Sequence, residues 1–102
     1  MNKYLLQGKL TAKEDSGDKL TSILLEASKL ISSAQGCNLY AVSKDQNDIN
    51  SVWITEIWDS KEDHDNSLKL EAVRTLIGQA IPIIDGTPQR GQELEVIGGH
   101  GL

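Results

Sequence analysis

The stretch Ser51-Val52-Trp53-Ile54-Thr55-Glu56-Ile57-Trp58-Asp59-Ser60 decides how this chain folds. It reads as a strand, rich in β-branched and aromatic residues, yet both of its faces are apolar. Strand side chains alternate with a period of two. Val52, Ile54 and Trp58 therefore share one side, and Trp53 and Ile57 share the other. In a domain this small, helices usually cover only one side of the sheet. The second side needs another cover, for which a partner subunit is the obvious source. Glu56 lies on the face of Val52, Ile54 and Trp58. A carboxylate in apolar company must be paired, protonated or open to a wet pocket. The strand, its two Trp residues and its acid predict a small-molecule cavity beside a dimer interface.

The flanking sequence supplies the remaining elements. Tyr4, Leu6, Gly8, Leu10 and Ala12 alternate with Leu5, Gln7, Lys9 and Thr11, which predicts a first strand over residues 3–12. Glu14 to Asp18 form a turn, with Asp15 or Ser16 as helix cap. Leu20, Ile23, Leu24, Ala27, Leu30 and Ile31 then recur at helical spacing, and Gly36 stops that helix. Cys37 to Lys44 predict a second strand, with Leu39 and Ala41 facing away from Tyr40 and Val42. The turn-formers Asp45 to Asn50 join it to the Trp-bearing strand as a hairpin. Ser60-Lys61-Glu62-Asp63 has the form of a capping box and starts a second helix. Leu68, Val73, Leu76, Ile77, Ala80 and Ile81 mark its buried side, and Pro82 ends or kinks it. Asp85-Gly86-Thr87-Pro88 predicts a turn, Gln92 to Ile97 a last strand, and residues 98–102 a mobile tail. The order βαββαβ predicts one ferredoxin-like α+β domain, an antiparallel sheet with two helices on one face. The bare face closes against a second subunit, giving a dimeric α+β barrel.

Composition narrows the function. The 102 residues fit a single domain, and 38% hydrophobic content without any Phe makes a lean core, which strengthens the case for a homodimer. A net charge of −5 argues against a nucleic-acid partner, which needs a basic stripe. No basic run suits a membrane surface, and no apolar run approaches the ~18 residues of a membrane span. The first residues lack the apolar stretch of a signal peptide, and the lone Cys37 excludes an internal disulfide; a cytoplasmic setting is expected. His64, His100 and Cys37 have no metal-site spacing. Gly98-Gly99-His100-Gly101 is not a phosphate loop, because no helix follows it. No cofactor is expected.

The strand Val52-Trp53-Ile54-Thr55-Glu56-Ile57-Trp58, followed by the capped helix of Ser60-Lys61-Glu62-Asp63-His64, resembles the antibiotic biosynthesis monooxygenase domain family. The resemblance covers residues 3–97 and includes the element order. It implies a small dimeric α+β barrel. It also implies, for members that are enzymes, oxygenation of polycyclic phenols or quinols without metal or flavin. Many relatives carry a His about one turn further along the second helix, where this chain has Asn66-Ser67. A haem-degrading group of relatives needs a ligating His in the region that here is residues 67–76. That region holds none, which argues against haem.

On this reading Glu56 and His64 are the candidate catalytic residues, and Trp58, Trp53, Tyr40 and Arg74 the candidate substrate-binding ones. Glu56 accepts a proton or a hydrogen bond from a phenolic hydroxyl; the plain alternative is a carboxylate paired with a cation such as Lys9. His64, with an unperturbed pKa of ~6.5, suits general acid–base work; the alternative is a solvated first-turn residue. Trp58 offers a flat wall for an aromatic ring or else belongs to the core, and Trp53 is its counterpart on the other face. Tyr40 donates a hydrogen bond into the cavity or simply packs, and Arg74 stabilises a phenolate or stays at the surface. The sequence thus predicts a cofactor-independent monooxygenase acting on a small aromatic ligand. The alternative is a ligand-binding or sensing dimer without chemistry.

Overall fold

A computed structural model of the chain describes residues 2–86 and 91–102. The elements are β1 (Lys3–Thr11), α1 (Gly17–Ile31), β2 (Cys37–Lys44), β3 (Ser51–Trp58), α2 (Lys61–Ser67), α3 (Glu71–Ala80) and β4 (Gln92–Val96). The strands form one antiparallel sheet in the order β2-β3-β1-β4, the ferredoxin-like arrangement. The central pair is β1 and β3, the strands whose sequences carry apolar residues on both faces.

Register decides what meets the helices. Tyr4 lies opposite Trp58, Leu6 opposite Glu56 and Leu10 opposite Val52, while Tyr40 of β2 lies on the other side of Glu56. These residues share the helix-covered face. There Leu20, Ile23, Leu24 and Ala27 of α1 pack with Val52 of β3 and with Leu76 and Ala80 of α3. A smaller cluster joins Trp58 to Ile31 and Val73. Each Val, Leu or Ile side chain among them contributes ~1.5–3 kcal/mol on burial.

The opposite face carries a row of Leu39, Ile57, Leu5 and Leu94 that crosses all four strands. None of the four belongs to either core cluster. Leu39 and Leu94 are 41% and 50% exposed, far more than a core leucine.

Four elements depart from the sequence expectation, the first being β1, which ends at Thr11 rather than at residue 12. The predicted second helix is two helices. After Ser67 the N–H groups of Leu68, Lys69 and Leu70 reach back only three residues, to Asp65, Asn66 and Ser67, which tightens and ends the turn. Leu70 is then extended before α3 begins. Pro82 falls in the first turn of a short 3-10 segment, Ile81–Ile83, where its missing N–H is harmless. Helix α1 stops at Ile31 rather than at Gly36. Hydroxyls of Ser28, Ser32 and Ser33 bond carbonyls three residues back, in competition with the helix ladder. Gly36 has φ +81°, and a Cβ there would collide with the Asp63 carboxylate, so its role is to let the chain pass beside α2. The last strand ends at Val96, one residue short of the expected end. Thr87 and Pro88 of the predicted turn lie outside the described residues.

Candidate functional site

A cavity of about 310 Å³ lies between the sheet and helices α1 and α3. Leu10 and Ile54 form its floor, Leu24 and Ala27 one side, Leu76 and Ile77 the other. Among the described residues its only polar wall groups are Glu56 and Tyr40, cross-strand neighbours on β3 and β2. Leu68, Ile77 and Ile81 belong to the wall yet are 41%, 40% and 58% exposed, so they frame its mouth.

Glu56 is buried, and its Oε1 accepts a 3.0 Å hydrogen bond from Nε1–H of Trp58. The two are two residues apart on one strand, so the pleat puts both on the same face. Helix α2 begins directly after the strand. Ser60 caps it by accepting a hydrogen bond from the Asp63 N–H at 3.1 Å. That start sets His64, the fourth residue of α2, back over the end of the sheet. Its ring lies against Tyr4 and edge-on to Trp58, with centroids at 5.6 and 5.8 Å. Its Nε2 is 3.9 Å from Glu56 Oε1, and its Nδ1 is 2.9 Å from Asp65 Oδ1.

Burial dominates the electrostatics. It pushes the Glu56 carboxyl above its ordinary value of 4.5, against the Trp58 hydrogen bond and the His64 charge, which favour the carboxylate. Burial, then the Glu56 charge, pushes the Tyr40 hydroxyl upward, so it remains a neutral donor. Burial and the hydrogen bond to Glu93 raise Tyr4 to about 12. The Cys37 thiol is also raised, by burial and then by Glu56.

The structure therefore brings together four of the six candidate residues: Glu56, His64, Trp58 and Tyr40. Trp58 takes the second of its two expected places, in the core. It is fully buried beside Ile31 and Val73, outside the cavity wall, and presents its N–H to Glu56 rather than its ring face to a ligand. His64 is buried at 9% exposure, not solvated. Trp53 lies on the opposite face, where its Nε1–H donates to Asp45 at 3.0 Å and the Lys9 ammonium is 5.9 Å from its ring. Lys9 also pairs with Asp45, at 3.9 Å, so it is no partner for Glu56. Arg74 is exposed on α3, outside the cavity wall. Among the described residues no three His, Cys, Asp or Glu side chains are grouped to hold a metal ion, and no helix is long and apolar enough to cross a membrane. The aliphatic wall residues were legible only as core, because a cavity and a filled core share the same periodicity. Asp65 showed itself in the sequence only as a charge near His64.

The described residues thus form a ferredoxin-like α+β domain with Glu56 in the wall of an apolar cavity and the His64 ring 3.9 Å from its carboxylate. The sequence pattern of the antibiotic biosynthesis monooxygenase family matches residues 4–79, and the chain belongs to that family. A structure named for the same family, from Chloroflexus aurantiacus, is 39% identical, covers 97% of each chain and superposes with a TM-score of 0.86. A family-named structure from Deinococcus radiodurans is 22% identical, with 97% and 95% coverage and a TM-score of 0.76. One from Nitrosomonas europaea is only 9% identical at a TM-score of 0.82, a likeness of fold alone. No curated protein matches the chain.

Proposed function

We propose that the protein is a cofactor-independent monooxygenase for an uncharged phenol or quinol, working as a homodimer in the cytoplasm. The observation that carries this reading is Glu56, an acidic side chain in the wall of an otherwise aliphatic cavity. A volume of about 310 Å³ holds about 15 non-hydrogen atoms at crystal-like packing, two or three fused rings. The aliphatic walls suit the rings, and Glu56 and Tyr40 give a hydroxyl an acceptor and a donor. Glu56 removes the hydroxyl proton. The resulting anion is electron-rich enough to pass an electron to dioxygen. The dry wall keeps bulk water from quenching it. Tyr40 stabilises the anionic oxygen by hydrogen bonding. In the full reaction a quinol gains one oxygen atom and loses two hydrogens to become a hydroxyquinone, and the second oxygen atom leaves as water. The substrate supplies all four electrons. The apolar row of Leu39, Ile57, Leu5 and Leu94, exposed at its two ends Leu39 and Leu94, supports the homodimer.

The test is oxygen uptake with naphthohydroquinone. The expected result is protein-dependent uptake giving hydroxyquinone and no hydrogen peroxide. Tight quinol binding without uptake above the buffer rate makes this a binding dimer instead. Neither binding nor uptake overturns the reading.

A further inference from the structure

The His64 imidazole sits between two carboxylates of unequal exposure. On the Nε2 side, Glu56 and His64 side chains are each 11% exposed; on the Nδ1 side, the Asp65 side chain is 52% exposed. An ionised carboxylate only accepts hydrogen bonds, so the 2.9 Å contact with Asp65 places a hydrogen on Nδ1. When His64 is neutral, Nε2 is then a bare lone pair facing Glu56. Other contacts hold the ring in that pose. Tyr4 and Trp58 flank it, and the Ser67 hydroxyl donates to the His64 carbonyl at 2.6 Å, fixing the turn that carries it.

We propose that Asp65 is a positioning residue: it holds His64 in the Nδ1–H tautomer, so that Nε2 stores the proton Glu56 takes from the substrate and later returns it. The proposal rests on the reading of Glu56 as the base. The substrate O–H bond breaks, and its proton passes to the Glu56 carboxylate and then to Nε2. The imidazolium so formed lies between two carboxylates. After dioxygen adds to a ring carbon the proton returns by the same path to the peroxide. The O–O bond then breaks, the hydrogen of that ring carbon becomes the second hydrogen of the departing water, and no net proton crosses to solvent. The 3.9 Å between Nε2 and Oε1 must close by ~1 Å, or one water must bridge it, as is common before substrate binds. With the opposite tautomer, Nε2 carries a hydrogen and cannot accept the proton.

Nitrogen NMR of isotope-labelled protein reads the tautomer without any substrate, with a His100→Gln variant to assign the two imidazoles. The wild type should show neutral His64 as Nδ1–H. Asp65→Asn should switch it to Nε2–H, because an amide can offer its own N–H to Nδ1, and Asp65→Glu should restore it. Oxygen uptake with naphthohydroquinone should fall between ~10-fold and ~10³-fold in Asp65→Asn while the fold is retained. Three results overturn the proposal: Nε2–H in the wild type, an unchanged tautomer in Asp65→Asn, or a switched tautomer with undiminished uptake. If the wild type consumes no oxygen, the reading of Glu56 fails, while the NMR result still decides whether Asp65 sets the tautomer.

Discussion

Replacing Glu56 by Gln should slow oxygen uptake sharply while making the protein more stable at neutral pH. Burying an ionised carboxylate costs several kcal/mol after relaxation. What offsets this for Glu56 is one charge-assisted bond from Trp58, of ~1.5–3 kcal/mol, and a His64 nitrogen at 3.9 Å. Burial wins, since the carboxyl is held above its ordinary 4.5. Gln keeps an acceptor for Trp58 at ~0.5–1.5 kcal/mol and offers an N–H toward His64 Nε2, with no charge to desolvate. The net gain is ~1–2 kcal/mol, or about 5–10 °C in Tm for a domain of this size. The sign with pH follows from linkage. A carboxyl whose pKa is raised on folding stabilises the fold fully below its unfolded value, and loses that contribution as pH rises through the folded value. Wild type and variant should therefore melt closest together in acid, with the variant pulling ahead as pH rises. Thermal melts at one fixed protein concentration check this, and oxygen uptake should fall by ~10²–10⁴-fold. A variant that melts well below the wild type at neutral pH would make Glu56 a structural anchor. Undiminished uptake would remove it as the base.

Leu39→Asp should leave a folded 11.1 kDa monomer in sedimentation equilibrium, because Leu39 is exposed in the single chain and ends the row of the proposed interface. A wild type that is itself monomeric at micromolar concentration sinks the interface. Trp58→Phe keeps the buried ring but removes the donor to Glu56, so the acid limb of the uptake profile should move to higher pH. An unmoved limb means that the hydrogen bond does not tune the base. Protein purified from cells should carry no stoichiometric metal, flavin or haem; metal analysis and the visible spectrum would reveal one.

Much of this architecture is written in local chemistry. Alternation along β1 and β3, helical spacing in α1 and the Ser60 cap all act within a few residues, so they can be read without knowing the fold. Glu56 was conspicuous for the same reason, as one acid on an apolar strand face. The α2–α3 break was not legible, because Leu68 and Leu70 continue an apolar pattern that a single helix would also show. What ends α2 is a set of three-residue backbone bonds and the extended Leu70, neither of which a side-chain pattern records. The roles of the two Trp residues depended on which sheet face meets the helices. Trp58 and Trp53 have opposite orientations by the pleat alone, and only the packing of α1 and α3 makes one buried and leaves the other with Asp45 and Lys9.

The lean core and the bare sheet face answer one another. Between sheet and helices stand Ala27 and Ala80 in the cavity wall, and the whole chain has no Phe, so the space that larger side chains would fill remains as the cavity. An unfilled cavity weakens a fold by ~24 cal/mol per Å³ where its walls cannot collapse. For about 310 Å³ that reaches ~7 kcal/mol as an upper bound, comparable to the whole stability of a small domain at ~5–15 kcal/mol. On the proposed reading, a protomer that keeps such a space open for a ligand must find stability elsewhere. In the proposed homodimer the row of Leu39, Ile57, Leu5 and Leu94 is one source, since fully covering an exposed leucine such as Leu39 or Leu94 contributes at most ~1.5–3 kcal/mol before association costs. The same accounting requires that a ligand filling the cavity stabilise the chain. Naphthohydroquinone held anaerobically should raise Tm, and Leu39→Asp should depend on it more than the wild type does.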